Sequence, residues 1–358
     1  MAFVNTIITG TGSYIPTEVV KNPDFAPNTF YDVNNVAFDI PHDEISEKFQ
    51  AITGISERRY VSDDLQASDI ATLAAARAIE DAKMNAEELD HIIVAHDFGD
   101  VVKDTIQTDM CPSLAARVKH NLAISNPQCV AYDLIFGCPG WLQGVIHADA
   151  FMRNGLAEKC MVIGTETLSR VVDVHDRDSM IYADGAGATI FEAREEENKR
   201  GILAFTSESH TKDEAYYLYF GKSNIQGSDP KVRYLKMLGR KIYEFSLKYV
   251  PGAIQNCLEK ANLHLRDVKK ILIHQANEKM DQEIVKRLFR LYRINDVPVD
   301  IMPMSIQKLG NNSVATVPTL LDLVRKEGFQ GHELNDGDVV VFASVGAGMN
   351  INAIAYRF

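Results

Sequence analysis

Apolar residues recur at helical spacing through Asp69–Met84 (DIATLAAARAIEDAKM), with Ser68 placed as a cap ahead of them. His91–Val94 then reads as a short apolar strand that ends at a loop, AHDFGD. A helix over 113–122, a strand over 130–136 and a helix over 139–154 follow. Cys160–Gly164 (CMVIG) is an entirely apolar strand, and Gly185–Phe191 (GAGATIF) reads as a glycine turn feeding another.

The second half uses the same vocabulary. A helix over 239–261 leads to the strand Lys270–His274, as 69–84 leads to 91–94, and EELDHIIVAH is echoed by LRDVKKILIHQ. Later, Val339–Ser344 (VVVFAS) parallels CMVIGT, and VGAGMNINAIAY parallels DGAGATIFEA. Repetition in the same order predicts a duplicated α/β unit. Continuous Val/Ile/Leu runs are what parallel strands buried on both faces require. The polar stretch 194–201 (REEENKRG) marks the seam, giving an N-terminal half over 1–195 and a C-terminal half over 196–358. Residues 22–50, with prolines and several Asn and Asp, read as an irregular surface insert in the first half.

Composition narrows the function classes. The chain has 358 residues, 46% hydrophobic and 24% charged, with a formal net charge of −12. That balance argues against nonspecific binding to nucleic acid or to anionic membranes. No apolar run reaches the ~18 to 20 residues of a membrane helix. The N-terminal stretch lacks the cationic and apolar regions of an export signal. Five cysteines without a CxxC spacing predict neither a disulfide framework nor a metal site, and fit a cytoplasmic protein.

Candidate chemistry begins at DLIFGCPGWLQG, where a strand ends, Gly137 permits a sharp turn and Cys138 precedes Pro139 at a helix start. Unpaired N–H groups at that helix end would stabilise a thiolate and lower the thiol pKa. A buried, inert cysteine is the competing reading. Cys111, before Pro112, lacks the glycine turn and the apolar strand. Cys129, Cys160 and Cys257 read as packing residues, and His147, on a helix, as structural.

A nucleophilic cysteine commonly works with an imidazole distant in sequence. His274 stands at the end of the strand KILI, where active-site groups collect in open α/β sheets. In SIQKLGNNSVATVP, Gly310 allows an unusual backbone angle and Asn311 offers an amide donor that cannot ionise. A neutral donor beside a histidine suits an enolate oxygen, although Gly-Asn-Asn alone is also an ordinary turn. The backbone of Gly346-Ala347-Gly348, with the N–H of Cys138, would supply a second oxyanion hole.

Several segments together resemble the 3-oxoacyl-[acyl-carrier-protein] synthase III family: ITGTGSYIP near the start, TGISERRY at 53–60, GCPGWLQG around Cys138, DRDSMIYADGAGA at 176–188, ILIHQAN at 271–277 and KLGNNSVATVP at 308–318. The resemblance implies a thiolase fold of two similar halves, with stacked five-stranded mixed sheets in an αβαβα layering, assembled as a homodimer. It implies that Cys138 takes an acyl group as a thioester, and that His274 and Asn311 hold a malonyl thioester during decarboxylation. The substrates would be acyl-CoA or an acyl-carrier protein together with malonyl-acyl carrier protein, and no cofactor is needed. Arg177 matches a family arginine that contacts coenzyme A, and Lys279 a basic position where the carrier docks. Where the family often has a tryptophan and an arginine near 47–52, this chain has Lys48 and Ile52. Relatives with similar motifs make dialkylresorcinols, cyclohexanediones or quinolones, so a specialised ketosynthase or an acyltransferase of the same fold are alternatives.

Overall fold

A computed structural model of the chain describes residues 3–105 and 107–358. Its first sheet contains β1 (Phe3–Tyr14), β4 (His91–Ala95), β7 (Val130–Leu134), β8 (Lys159–Thr167) and β9 (Asp184–Glu196), in the order β1-β9-β8-β4-β7. The second contains β10 (Gly201–Ser209), β13 (Val268–Ile273), β14 (Val339–Gly346) and β15 (Asn350–Arg357), in the order β10-β15-β14-β13. Strand for strand the orders correspond. In the first sheet β8, β4 and β7 are parallel and β9 runs antiparallel between β1 and β8; in the second β14 and β13 are parallel and β15 runs antiparallel between β10 and β14.

The second sheet has four strands among the described residues, not the expected five. The segment in the position of a fifth, around Ile301, gives β13 one backbone bond, from the Ile271 N–H to the Ile301 carbonyl at 2.8 Å. The Ile301 N–H turns back to the Pro298 carbonyl at 3.2 Å, and Pro303, two residues on, has no N–H to donate, so the ladder extends in neither direction.

Five layers result. Helices α2 (Ala67–Ala82) and α3 (Leu114–Asn121) cover the outer face of the first sheet, while α5 (Gly239–Lys260) and α6 (Glu278–Leu291) cover that of the second. Between the sheets lie α4 (Gly140–Arg153) and α8 (Thr316–Glu327). Alternate residues of each strand therefore enter different cores: Ile92 and Val94 pack outward, Ile93 and Ala95 inward, and Ile271 and Leu272 divide in the same way. Burial on both faces is why these strands carry no polar alternation.

Local details depart from the expected ones. Helix α2 starts at Ala67 with Gln66 and Asp69 forming the capping box, while Ser68 lies inside it and donates its hydroxyl to Asp100 at 2.6 Å. Gly185 and Gly187 are not a turn but part of β9. A side chain at Gly187 would come within 2.7 Å of the Thr319 backbone nitrogen, so its absence lets α8 lie directly on the sheet. Segment 22–50 is less irregular than expected. It includes α1 (His42–Thr53) after the strand β2 (Glu18–Lys21), which pairs with β3 (Glu57–Tyr60). Phe25, Phe30, Ile45 and Phe49 from this region form a buried cluster with Leu168, Met180 and Ile306.

Two short hairpins flank the site. One joins β5 (Asp100–Val101) to β6 (Thr108–Asp109), and the other β11 (Leu218–Gly221) to β12 (Tyr234–Met237). The second is anchored by Lys236, whose buried ammonium donates to Asp173 at 2.6 Å, Asp176 at 2.8 Å and Asn224 at 2.8 Å. Phe220 of the same hairpin stacks on Phe98 at a centroid distance of 5.0 Å. Removing one member of a buried ion cluster leaves the others uncompensated. Lys236→Ala is therefore expected to release this hairpin, read as at least tenfold faster amide hydrogen exchange at 218–221 and 234–237 with β8 and β9 unchanged; equal protection in both proteins would refute the anchoring role.

Candidate active site

Cys138 lies between β7 and α4. Gly137 takes φ +66°, Pro139 forms the helix N-cap, and α4 starts at Gly140. The turn after β14 lies against this bend. A side chain at Gly346 would meet the Cys138 nitrogen at 2.5 Å, and one at Gly137 would meet the Ala347 nitrogen at 2.6 Å. Two glycines thus let backbone from the two halves touch at the cysteine, which substituted positions would prevent.

His274 follows the last residue of β13, and its N–H donates to the Ala343 carbonyl of β14 at 2.8 Å. Gln275 is fully buried; it donates to the Pro303 carbonyl at 2.8 Å and accepts from the N–H groups of Ser305 (2.8 Å) and Ile306 (3.1 Å). Those bonds hold the start of α7 (Ile306–Leu309) against the end of β13. Asn277 caps α6 by accepting from the Met280 N–H at 3.0 Å. Of the HQAN motif, then, Gln275 and Asn277 shape the loop that carries His274.

Gly310 follows α7 at φ +66°, with no room for a side chain beside Arg58 and Ala183. Asn311 is clamped by its backbone, donating to Ile181 at 2.9 Å and accepting from Ala183 at 2.8 Å. Its Oδ1 accepts the Ser313 N–H at 2.9 Å, which leaves the amide NH₂ as its outward donor. Ser313 in turn donates from Oγ to Cys138 Sγ at 3.3 Å, and its backbone lies near enough to the His274 ring to influence its protonation. Sequence reading passed over Ser313, although it lies within the quoted GNNS segment. The three expected side chains meet through it.

Two cavities adjoin at Asn311. The inner one, about 220 Å³, is lined by Cys138, Asn311, Ser313 and Ala347 at one end and by Phe98, Leu168, Tyr182, Leu218, Phe220 and Leu235 along its walls. The outer one, about 430 Å³, opens past Asn277, Met280 and Thr53 toward Lys48, Ile52, Arg177 and Arg240. Arg177 lies over the Phe38 ring at 5.7 Å and pairs with Asp178. Lys279, exposed at the second position of α6, is not part of either lining. Gly348, at φ +74°, sits in the β14–β15 turn beside Asn350, whereas Gly346 and Ala347 are the members of that trio at Cys138.

The electrostatics correct one expectation. Burial pushes the Cys138 thiol up to about 12, with the neighbouring Asp97 adding to the rise, so the helix end does not produce a resting thiolate. Burial lowers His274 to about 4, against a smaller opposite effect of the Ser313 backbone. At neutral pH the site therefore presents a thiol, a neutral imidazole and an amide. Asp97 and Glu166, also beside the thiol, were not foreseen; Asp97 follows the strand end at Ala95 as Gln275 follows Ile273, so the repeated strands carried a signal for it.

Comparison with known proteins matches this layout. The family described as 3-Oxoacyl-[acyl-carrier-protein (ACP)] synthase III matches residues 132–211, and the corresponding C-terminal description matches 258–358. The chain is 31% identical over 353 residues, 98% of each chain, to beta-ketoacyl-[acyl-carrier-protein] synthase III 1 of Halalkalibacterium halodurans. It is 32% identical over 362 residues, 99% of each chain, to the beta-ketoacyl-[acyl-carrier-protein] synthase III of Oceanobacillus iheyensis. The crystal structure of 3-oxoacyl-[acyl-carrier-protein] synthase III from Aquifex aeolicus superposes with a TM-score of 0.78 at 29% identity, covering 99% of this chain and 100% of that one. The five-layered architecture is thus the thiolase fold, and the chain belongs to the 3-oxoacyl-[acyl-carrier-protein] synthase III family.

Proposed function

We propose that this protein is a decarboxylating condensing enzyme that carries its acyl intermediate on Cys138. The observation that carries the reading is the meeting of Cys138, Asn311 and His274 around Ser313, at the junction of an apolar inner cavity and a wider, basic-lipped outer one. In the first half-reaction the sulfur attacks the carbonyl of an acyl thioester, and the backbone N–H groups of Cys138 and of the Gly346-Ala347 stretch stabilise the oxyanion. The acyl chain occupies the inner cavity, whose aromatic and aliphatic walls suit hydrocarbon. Lys48, Arg177 and Arg240 at the outer lip supply positive charge for the phosphates of coenzyme A or of a carrier-bound pantetheine, and exposed Lys279 lies on the side where a carrier would approach.

In the second half-reaction a malonyl thioester on acyl carrier protein replaces the first carrier. Its carbonyl oxygen accepts from the Asn311 NH₂ and from the His274 ring. As the bond to the carboxylate breaks, the electron pair moves onto that oxygen as an enolate, where two neutral donors are best matched to charge that appears only then. The enolate carbon attacks the Cys138 thioester, the 3-oxoacyl product leaves on the carrier and the cysteine is regenerated. A homodimer belongs to the same reading: β7 is an edge strand, and Val130 and Ile135 beside that edge are 50% and 60% exposed. A specialised ketosynthase would use the same half-reactions with a different primer or nucleophile.

Incubation with a panel of acyl-CoA donors is expected to add the acyl mass to the Cys138 peptide, and Cys138→Ala to abolish that adduct; a wild-type protein unmodified by every donor sinks the reading. His274→Ala and Asn311→Ala should still acylate while releasing carbon dioxide from malonyl carrier protein at least ~100-fold more slowly; normal release in both would remove their assigned role. Because His274 is neutral down to about pH 4, decarboxylation should stay flat from pH 8 to about pH 5. Loss of rate on His274 protonation belongs below that range, and an acid limb in the ordinary histidine range, near ~6.5, would contradict the buried, neutral imidazole.

A further inference from the structure

A thiol that is neutral at rest must lose a proton when it attacks, and Asn311 and His274 are committed to the second half-reaction. Three other groups surround the sulfur. Ser313 Oγ is 3.3 Å from Sγ. Asp97 lines the inner cavity with Cys138 and Ser313; burial raises its carboxyl, while the Gly137 N–H, His96 and the Ser313 side chain act in the opposite direction. Its carboxyl is fixed in place: Oδ1 accepts from the N–H of Gly137, the residue before the nucleophile, at 2.9 Å. Glu166 holds the backbone behind it, accepting the Asp97 N–H on Oε1 at 3.1 Å.

We propose that Ser313 and Asp97 form a proton relay for Cys138, with Ser313 as the group that touches the reacting sulfur and Asp97 as the acceptor behind it. This rests on the reading of Cys138 as the acyl carrier. As sulfur attacks the incoming thioester, the Ser313 hydroxyl rotates its proton from Sγ toward the Asp97 carboxylate, the thiol proton passes to Ser313 Oγ and the Ser313 proton passes to Asp97. The tetrahedral intermediate then expels the carrier thiolate, which takes the proton back along the same path. One C–S bond forms, one breaks, and Asp97 ends ionised as it began.

The surrounding charges fit this assignment. Glu166 is fully buried, its Oε2 has no hydrogen-bond partner among the described residues, and burial with the adjacent Asp97 charge raises it well above the usual carboxylate range. Burial raises both carboxyls, and Asp97, which accepts the N–H of Gly137 and has the Ser313 side chain acting in favour of its charged form, is the member of the pair better equipped to hold a negative charge. Asp184 adds to the pressure that keeps Glu166 protonated. His96 is not a rival acceptor, because Nδ1 accepts the Gly99 N–H at 3.0 Å and Nε2 faces Asp133 at 2.9 Å. Two tyrosines also line the cavity, Tyr182 and Tyr219, and burial shifts Tyr182 away from ionisation.

The test compares wild type, Asp97→Asn, Asp97→Glu, Ser313→Ala and the Asp97→Asn/Ser313→Ala double variant. Single-turnover acylation of Cys138 from acyl-CoA is followed by mass spectrometry across pH, and the thiol is titrated by its ultraviolet thiolate absorbance. Asp97→Asn is expected to acylate ~100-fold more slowly while its thiol titrates at lower pH, since a neighbouring negative charge has gone. A merely misplaced loop would not move these two readouts in opposite directions. Ser313→Ala keeps the backbone contacts to Asn311 and His274 and should lose a similar factor, the double variant should be no slower than Asp97→Asn, and Asp97→Glu should recover part of the rate. Wild-type rate and pH profile in Asp97→Asn, or independent losses that multiply in the double variant, would overturn the relay alone. Should Asp97→Asn fail to fold, wild-type acylation by Ser313→Ala overturns it. No adduct on the wild-type protein overturns both the relay and the function it rests on.

Discussion

Ser313 holds a left-handed backbone angle, φ +51°, that side-chain-bearing residues seldom adopt. Its N–H and hydroxyl are thereby turned toward the Asn311 side chain and the Cys138 sulfur, and its backbone lies near the His274 ring. The conformation persists because its surroundings leave little choice. Just before it, Gly310 is wedged against Arg58 and Ala183, and Asn311 is held by Ile181 and Ala183. Just after it, the Val314 carbonyl lies so close to Gly164 that a side chain there would approach to 2.3 Å. Strain of this kind is kept where neighbouring structure fixes it.

The duplicated architecture explains why such a junction can exist. Two sheets stacked across α4 and α8 bring strand ends from both halves to one place, so that a cysteine from the first half faces an imidazole and an amide from the second. Burial then sets the protonation states. It opposes charge on sulfur and on imidazole alike, and a pair of carboxyls beside the thiol reinforces the neutral state. Catalytic power at such a site lies in where charge is permitted to appear during reaction, more than in charge held at rest.

Much of this was legible in the chain. Buried parallel strands announce themselves as unbroken apolar runs, and the echo of HIIVAH in KILIHQ identifies β4 and β13 as equivalent strands, whose ends lead to Asp97 and His274 at the candidate site. Cys138, His274 and Asn311 stand out because each follows a strand or glycine turn. What the sequence obscured depends on long-range packing. Gly187 looks like a turn until the backbone of α8 is seen against it, and Ser68 looks like a cap until Asp100 claims its hydroxyl. The sign of the Cys138 shift was misread because a helix end is a local feature, whereas desolvation and the nearness of Asp97 are products of the whole fold. Pro303 is in plain view as a ladder breaker, yet its effect on the fifth strand follows only once the order of the second sheet is known.

A sulfur that rests in its protonated form also has a chemical lifetime. Peroxide and related oxidants attack the thiolate, and the resulting sulfenic and sulfinic acids remove the nucleophile from service. With its thiol raised to about 12, Cys138 exposes almost none of that form between turnovers. On the proposed reading of Cys138 as the acyl carrier, the burial that makes the resting thiol a poor nucleophile also makes it durable, reserving reactivity for the interval in which an acyl donor fills the cavity.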